Sequence, residues 1–220
     1  MLARRLLAAV ALYRWAGCHI AWGVVIRLIV AEKPSVARDI ARVLGVRGRS
    51  QGCIESDGTC ITWCVGHLVE LAAPQSYNPE WKSWRLASLP MIPDHFDLSP
   101  REGASDQWLV VRRLLRDRRV TEVVNACDAG REGELIFALA YQLAGCSRPV
   151  RRLWISSMTD GAIRQGFDRL RDGATQRPLE DAARCRSEAD WLVGLNATRA
   201  MTVRMREGGG DALLSLGRVQ

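Results

Sequence analysis

Blocks of apolar residues recur along the chain with two different periods. Val24 to Ala31 (VVIRLIVA) is a nearly continuous apolar run rich in β-branched residues, which predicts a strand covered on both faces. Glu32-Lys33-Pro34-Ser35 follows, and then VARDIARVLGV carries its apolar residues at helical spacing. A proline near the first turn suits a helix start. Cys60 to Val65 (CITWCV) reads as a second strand, ending in Gly66-His67-Leu68. Residues 73 to 107, rich in Pro, Trp, Ser and Asp, read as a long irregular excursion, and Trp108 to Asp117 as a basic helix. Val120 to Cys127 (VTEVVNAC) is another strand of the buried kind. After Asp128 through Glu134, LIFALAYQLAG predicts a helix that stops at Gly145, and Val150 to Ile155 a further short strand.

Strands alternating with helices predict an α/β fold with a parallel sheet flanked by helices. From about Thr159 the pattern turns helical, broken at Gly208-Gly209-Gly210 before Leu213 to Gln220. The expected organisation is therefore a sheet domain over 25–155 and the start of a mainly helical domain over 156–220. Residues 1–24 do not conform. A charged start and a short apolar run resemble a signal peptide, but Tyr13, Arg14 and Trp15 interrupt the run and no small-residue cleavage site follows. The run is too short to span a membrane. A dispensable extension or a misplaced start codon is the preferred reading.

Charge narrows the choice of partner. Thirty-one Lys plus Arg against 24 Asp plus Glu give +7, and arginine supplies nearly all of the cations. Its planar guanidinium pairs with phosphate and keeps its charge, which favours nucleic acid over other partners. Seven cysteines lie scattered without a C-x-x-C pair, which argues against a four-thiolate zinc site. Cys64 and Cys127 sit in apolar runs and read as reduced buried thiols, as expected in a reducing, cytoplasmic setting.

Two acidic segments follow strands: Glu32-Lys33 and Asp128 through Glu134. In a parallel sheet the carboxyl ends of strands share one edge, so loops distant in sequence meet there. Singly, Glu32 or Asp128 reads as a helix-start acid that complements the dipole. Together at two strand tips they can form a carboxylate cluster of the kind that holds Mg²⁺ with waters and a phosphate oxygen. A neighbouring lysine can neutralise phosphate charge, and a glutamate can protonate a leaving oxygen.

AEKPSVARDIARVLG and DAGREGELIF resemble the two acidic motifs of a Toprim domain, as found in type IA DNA topoisomerases. WCVGHLVEL resembles the segment between them in topoisomerase III. Arg186-Ser187-Glu188-Ala189-Asp190-Trp191-Leu192, continued by VGLNATRA, and the segment Ser215, Leu216, Gly217, Arg218, Val219, Gln220 are similar to two later motifs of that family. These matches run in family order from about residue 25 to residue 220. The resemblance implies that Glu32 binds metal and acts as general acid, and that Lys33 stabilises the phosphate. It implies that Asp128 holds Mg²⁺ with Glu132 in support. It further implies that His67, Arg186, Asp190 and residues 215–220 contact or position single-stranded DNA. The implied activity is Mg²⁺-dependent cutting, passage and resealing of DNA strands.

Two departures qualify it. The family's motif usually reads D-x-D-x-E, whereas Gly130 stands at the second acidic place, so weaker metal binding is expected unless Glu132 substitutes. An aspartate at 130 would be strained if the φ there were positive. The family's nucleophilic tyrosine lies downstream of GRVQ, and Tyr13, Tyr77 and Tyr141 stand in no matching context. The isolated chain is expected to relax no DNA. Two other functions keep the same acids: a Toprim nuclease or primase-like enzyme, which needs no tyrosine, and a non-catalytic DNA-binding remnant. The helical ADWLVGLNATRA and GRVQ motifs weigh against the first. A dinucleotide-binding domain is excluded by the lack of G-x-G-x-x-G after either strand.

Overall fold

The structure, a computed structural model, describes residues 25–217; the extension 1–24 and Arg218, Val219 and Gln220 lie outside the described residues. Strand β1 (Ile26–Ala31) stands near the middle of a seven-stranded sheet. Beside it run β4 (Thr59–Trp63) on one side and β7 (Val120–Ala126) on the other, with β8 (Val150–Arg152) beyond β7. These four strands are parallel. Leu28 and Val30 enter one apolar layer while Ile29 and Ala31 enter the other, so β1 is covered on both faces as its unbroken apolar run predicts.

The sheet is mixed rather than wholly parallel. At one edge β2 (Arg49–Ser50) and β3 (Cys53–Ser56) continue antiparallel from β4, and at the other β9 (Arg171–Asp172) pairs antiparallel with β8. These edge strands are two to four residues long, too short for a periodic signal. One local signal does mark the hairpin: Asp57 and Gly58 both have positive φ, 48° and 75°. That is the demand of a tight two-residue hairpin turn, and Asp-Gly satisfies it.

Helices α1 (Pro34–Leu44), α2 (Pro74–Tyr77), α3 (Ser105–Leu115), α4 (Arg131–Ala144), α5 (Asp160–Asp168) and α6 (Arg177–Glu207) complete the described chain. α3 and α4 cover one face of the sheet, and α1 and α5 the other. α3 begins three residues before the expected Trp108 and buries Trp108, Val111, Leu114 and Leu115 along one stripe. β8 stops at Arg152, short of the expected Ile155.

The stretch 73–107 is irregular only in part. It holds α2, two 3₁₀ turns (Pro79–Lys82 and Leu86–Ser88) and β6 (Leu98–Pro100), which pairs antiparallel with β5 (Val69–Leu71). α6 pins this stretch down. Trp191 Nε1 donates to the Ala72 carbonyl at 3.0 Å, and its ring meets Tyr77 and Phe96 edge-on. Asn196 exchanges hydrogen bonds with the main chain of Met91 (2.6 and 2.9 Å). The buried Arg199 guanidinium donates to the Trp81 carbonyl and lies over the Trp84 ring. Burial lowers its pKa. Three positions of the ADWLVGLNATRA motif thus hold the excursion in place, a structural use that local sequence does not announce.

Candidate active site

The carboxyl ends of β1 and β7 lie side by side, with Ala31 opposite Ala126 in the register. Glu32 is the first residue past β1, and Pro34 at the first turn of α1 forces the chain out of the sheet just beyond it. Glu32 is buried, and its Oε2 accepts from the Asp128 main-chain N–H at 3.1 Å. Lys33 Nζ lies 3.5 Å from Glu32 Oε1 and 3.8 Å from Asp128 Oδ2. One partly exposed ammonium therefore serves two carboxylates from loops 96 residues apart. The strand-tip juxtaposition expected from the pattern is formed.

Beneath the loop, Asn125, Glu134 and Arg152 form a buried network that the sequence reading missed. Asn125 Oδ1 accepts from the Cys127 N–H, and its Nδ2 donates to Glu134 Oε2 at 3.1 Å. Arg152 Nε donates to Glu134 Oε1, while its two terminal nitrogens reach the carbonyls of Cys127 and Asp128, each at 2.7 Å. Burial pushes the Glu134 carboxyl up, and the Arg152 guanidinium holds that rise back. We read Glu134 as the anion, because both its oxygens accept hydrogen bonds from donors that have no alternative. The available signal was an arginine inside a strand whose neighbours are buried. Cys127 lies under the same loop, its thiol pushed well up by a hydrogen bond with Cys64 and by burial. Both cysteines are buried and free, as the apolar runs imply.

Asp128 also lines a cavity of about 580 Å³ with His67, Arg131, Glu132, Arg186 and Asp190. His67 Nε2 and Glu132 Oε1 are 2.5 Å apart, which ties the β4–β5 connection to the start of α4. Glu132 thereby turns towards His67. Glu32, Asp128 and Glu132 do not bring one oxygen each within 4.8 Å of one another. Arg131, Arg186 and Asp190 continue into a second, more apolar cavity of about 880 Å³ that reaches Leu216 and Gly217. Thr198 and Thr202 hold that last segment against α6. Thr198 Oγ1 accepts from the Leu216 N–H at 2.9 Å, and Thr202 Oγ1 from that of Leu214 at 3.1 Å. Ser215 lies between the two anchored amides. Arg218, Val219 and Gln220 lie outside the described residues.

A family model described as Toprim domain matches residues 27–158, the stretch that contains both acidic loops. The chain belongs to the Toprim family. Toprim domains bind divalent metal ions generally. DNA topoisomerase 3 of Staphylococcus epidermidis is 48% identical over 193 residues, covering 88% of this chain and 26% of that relative. DNA topoisomerase 3 of Shouchella clausii is 47% identical over 194 residues, with the same shares. The chain spans about a quarter of the length of the curated relatives it matches. The solved structure of full-length topoisomerase I from Thermotoga maritima superposes with a TM-score of 0.57 at 20% identity, covering 87% of this chain and 28% of that one. That likeness is one of fold. Among the described residues no helix is long and apolar enough to cross a membrane.

Glu32 and Asp128 suit a hard divalent ion. Oxygen donors from two chain segments face one another across an exposed lysine ammonium, and only one of them is deeply buried. An ion that keeps most of its waters and takes one or two carboxylates fits such a donor set.

Proposed function

We propose that this Toprim chain forms part of a type IA DNA topoisomerase of the topoisomerase III kind, acting on single-stranded DNA with Mg²⁺. Glu32 and Asp128 would hold the ion, with Glu132 reaching it by leaving His67. When bound, the ion supplies positive charge against a phosphate oxygen. Glu32 would pass a proton to a leaving 3′ oxygen, and the ammonium of its neighbour Lys33 would offset the carboxylate charge left behind. Lys33, its side chain exposed, offsets charge on the phosphate. His67, Arg186 and Asp190 line the path by which a strand approaches, and Leu216 and Gly217 border its far end.

The observation that carries this reading is Lys33 Nζ within 4 Å of both Glu32 and Asp128, beside a cavity lined by Arg131 and Arg186. Neither described tyrosine serves as nucleophile there. Tyr141 donates its hydroxyl to the Arg148 carbonyl, and burial raises it to about 12. The Tyr77 hydroxyl is bound to the Asp97 main chain. The attacking tyrosine therefore comes from outside this set.

A chimera tests the reading. Residues 25–217 replace the matching stretch of the S. epidermidis topoisomerase 3, and relaxation of supercoiled DNA is followed with Mg²⁺. The chimera should relax DNA and lose that activity on Glu32→Gln. Equal relaxation by the chimera and its Glu32→Gln variant would overturn the assignment.

A further inference from the structure

On the side of β1 away from β7, the β3–β4 hairpin gathers a second set of metal-ligating groups. Cys53 and Glu55 alternate along β3 and so point to one face, and Glu55 pairs directly with Cys60 on β4. Their ligand atoms, one from each side chain, all lie within 4.8 Å of one another. Cys60 pairs with Leu28 of β1, four residues before Glu32, and Cys53 pairs with Thr62 on the far side of β4 from β1, so the two sites use different residues of neighbouring strands.

The pairing register argues against a disulfide. Cys53 lies opposite Thr62, which makes Cys53 and Cys60 diagonal neighbours. Diagonal positions are typically about 7–8 Å apart at Cα, at or beyond the roughly 7 Å that a disulfide tolerates. A tetrahedral ion fits this separation. Bonds of about 2.3 Å to each sulfur set the two sulfurs nearly 4 Å apart, and an oxygen ligand sits about 2.0–2.2 Å from the ion.

The surroundings orient the donors. Ser50 Oγ donates to Glu55 Oε1 at 2.9 Å and fixes the carboxylate at the mouth of the site. Both sulfurs are buried, while Glu55 is exposed and offers an entry. Burial pushes both thiols up. Arg113 lies near enough to favour the Cys53 thiolate. Two thiolates select a borderline-soft ion and discriminate against Mg²⁺.

We propose that Cys53, Glu55 and Cys60 form a binding site for a zinc-class divalent cation, with solvent in the fourth position, that clasps β3 to β4 across the hairpin. The proposal is independent of the activity of the Glu32–Asp128 cluster.

The test uses the full chain, reduced and stripped with chelator, titrated with Co²⁺ as a spectroscopic stand-in and then with Zn²⁺. One equivalent should give thiolate-to-cobalt absorption, release about two protons, raise the melting temperature, and yield to Zn²⁺ but not to Mg²⁺. Cys60→Ala should abolish the band. Glu55→Gln, at an exposed position that leaves the core intact, should weaken binding tenfold or more, and Ser50→Ala by roughly tenfold. A Cys64→Ala/Cys127→Ala variant should keep the band. A band that survives Cys60→Ala, full affinity in Glu55→Gln, the absence of any band, or a Cys53–Cys60 disulfide in protein purified under reducing conditions would each overturn the proposal.

Discussion

Arg152 holds Asp128 by the main chain: its Nη2 donates to the Asp128 carbonyl at 2.7 Å, leaving the Asp128 carboxylate turned outward and more than half exposed. The same guanidinium satisfies the carbonyls of Asn125, Cys127 and Leu153 through Nη1 and neutralises Glu134 through Nε. The Asn125 carbonyl also accepts from the Leu153 N–H at 3.0 Å, whereas those of Cys127 and Asp128 sit where the chain has left the ladder, and the fully buried guanidinium supplies their partners. Arg152 therefore acts on the site by positioning a loop.

Arg152→Met should cost about 3–5 kcal/mol, because it strands Glu134 and several carbonyls without a partner. Arg152→Lys keeps the charge but loses the fork, and should fall in between. Removing Glu134 together with Arg152 should recover part of the loss. Urea unfolding of the four proteins checks the order. A loss below about 1 kcal/mol for Arg152→Met would show that water replaces the network.

Gly133 reports on the same loop from the other side. A Cβ there would stand 2.1 Å from the Asp128 carbonyl oxygen and 2.8 Å from its nitrogen, so Gly133→Ala must displace the loop. The expected cost is about 1–3 kcal/mol, with weaker divalent-ion binding although no carboxylate has been touched. Thermal melts and calorimetric titration with Mg²⁺ measure both. Unchanged ion affinity would mean that the loop position does not govern the site.

The centre of the fold was legible because β1 is a nearly continuous apolar run, β7 carries Val120, Val123 and Val124, and the acids stand at their tips. β2, β3 and β9 were not, since strands of two to four residues carry no period and draw their stability from the neighbour they pair with. Within the site, Glu32, Lys33 and Asp128 could be placed because a parallel sheet fixes where strand ends meet. Arg152 and Asn125 escaped notice because their role depends on carbonyls that only the folded loop brings together. Trp191 and Asn196 were legible as motif positions, but their partners at Ala72 and Met91 lie more than 100 residues away.

Asp117 supplies a pH-dependent contribution remote from the site. Its carboxylate accepts from the Arg119 N–H and guanidinium, and that hydrogen bonding holds its pKa below the usual aspartate value. A lowered folded pKa means that the stabilisation is complete above the ordinary aspartate range and is lost as pH falls through the lowered value. Asp117→Asn should cost about 1 kcal/mol near neutrality, and the gap should close in strong acid. Urea titrations of both proteins across that range give the comparison. A gap that is independent of pH would assign the effect to the turn rather than to the charge.

DNA affinity should fall steeply between roughly 50 and 200 mM salt as arginines release counterions from phosphates. Arg186→Ala should weaken binding to all single-stranded sequences alike and lower the logarithmic salt slope by about 0.7. Fluorescence anisotropy with labelled oligonucleotides measures both quantities. An Arg186→Ala protein with an unchanged slope would take Arg186 off the DNA path.

Gly130 decides how the weakened acidic motif should be read. Its φ of 168° and ψ of 175° describe extended backbone open to any residue, and no atom lies within 4 Å of the position a Cβ would take. The strain expected for a positive φ does not arise. Gly130→Asp should therefore fold normally and add carboxylate charge beside Asp128, tightening Mg²⁺ binding. The position is also the N-cap of α4, where an acidic or amide side chain bonds free N–H groups and stabilises the helix by itself. Gly130→Asn separates the two effects, since it caps as well as aspartate but carries no charge. Calorimetry should show tighter Mg²⁺ binding in Gly130→Asp alone, a raised melting temperature in both variants, and no binding at this site in Asp128→Ala. Equal Mg²⁺ affinity in Gly130→Asp and Gly130→Asn would mean that residue 130 serves the helix start and not the ion, and that the second acidic place of the motif lies elsewhere.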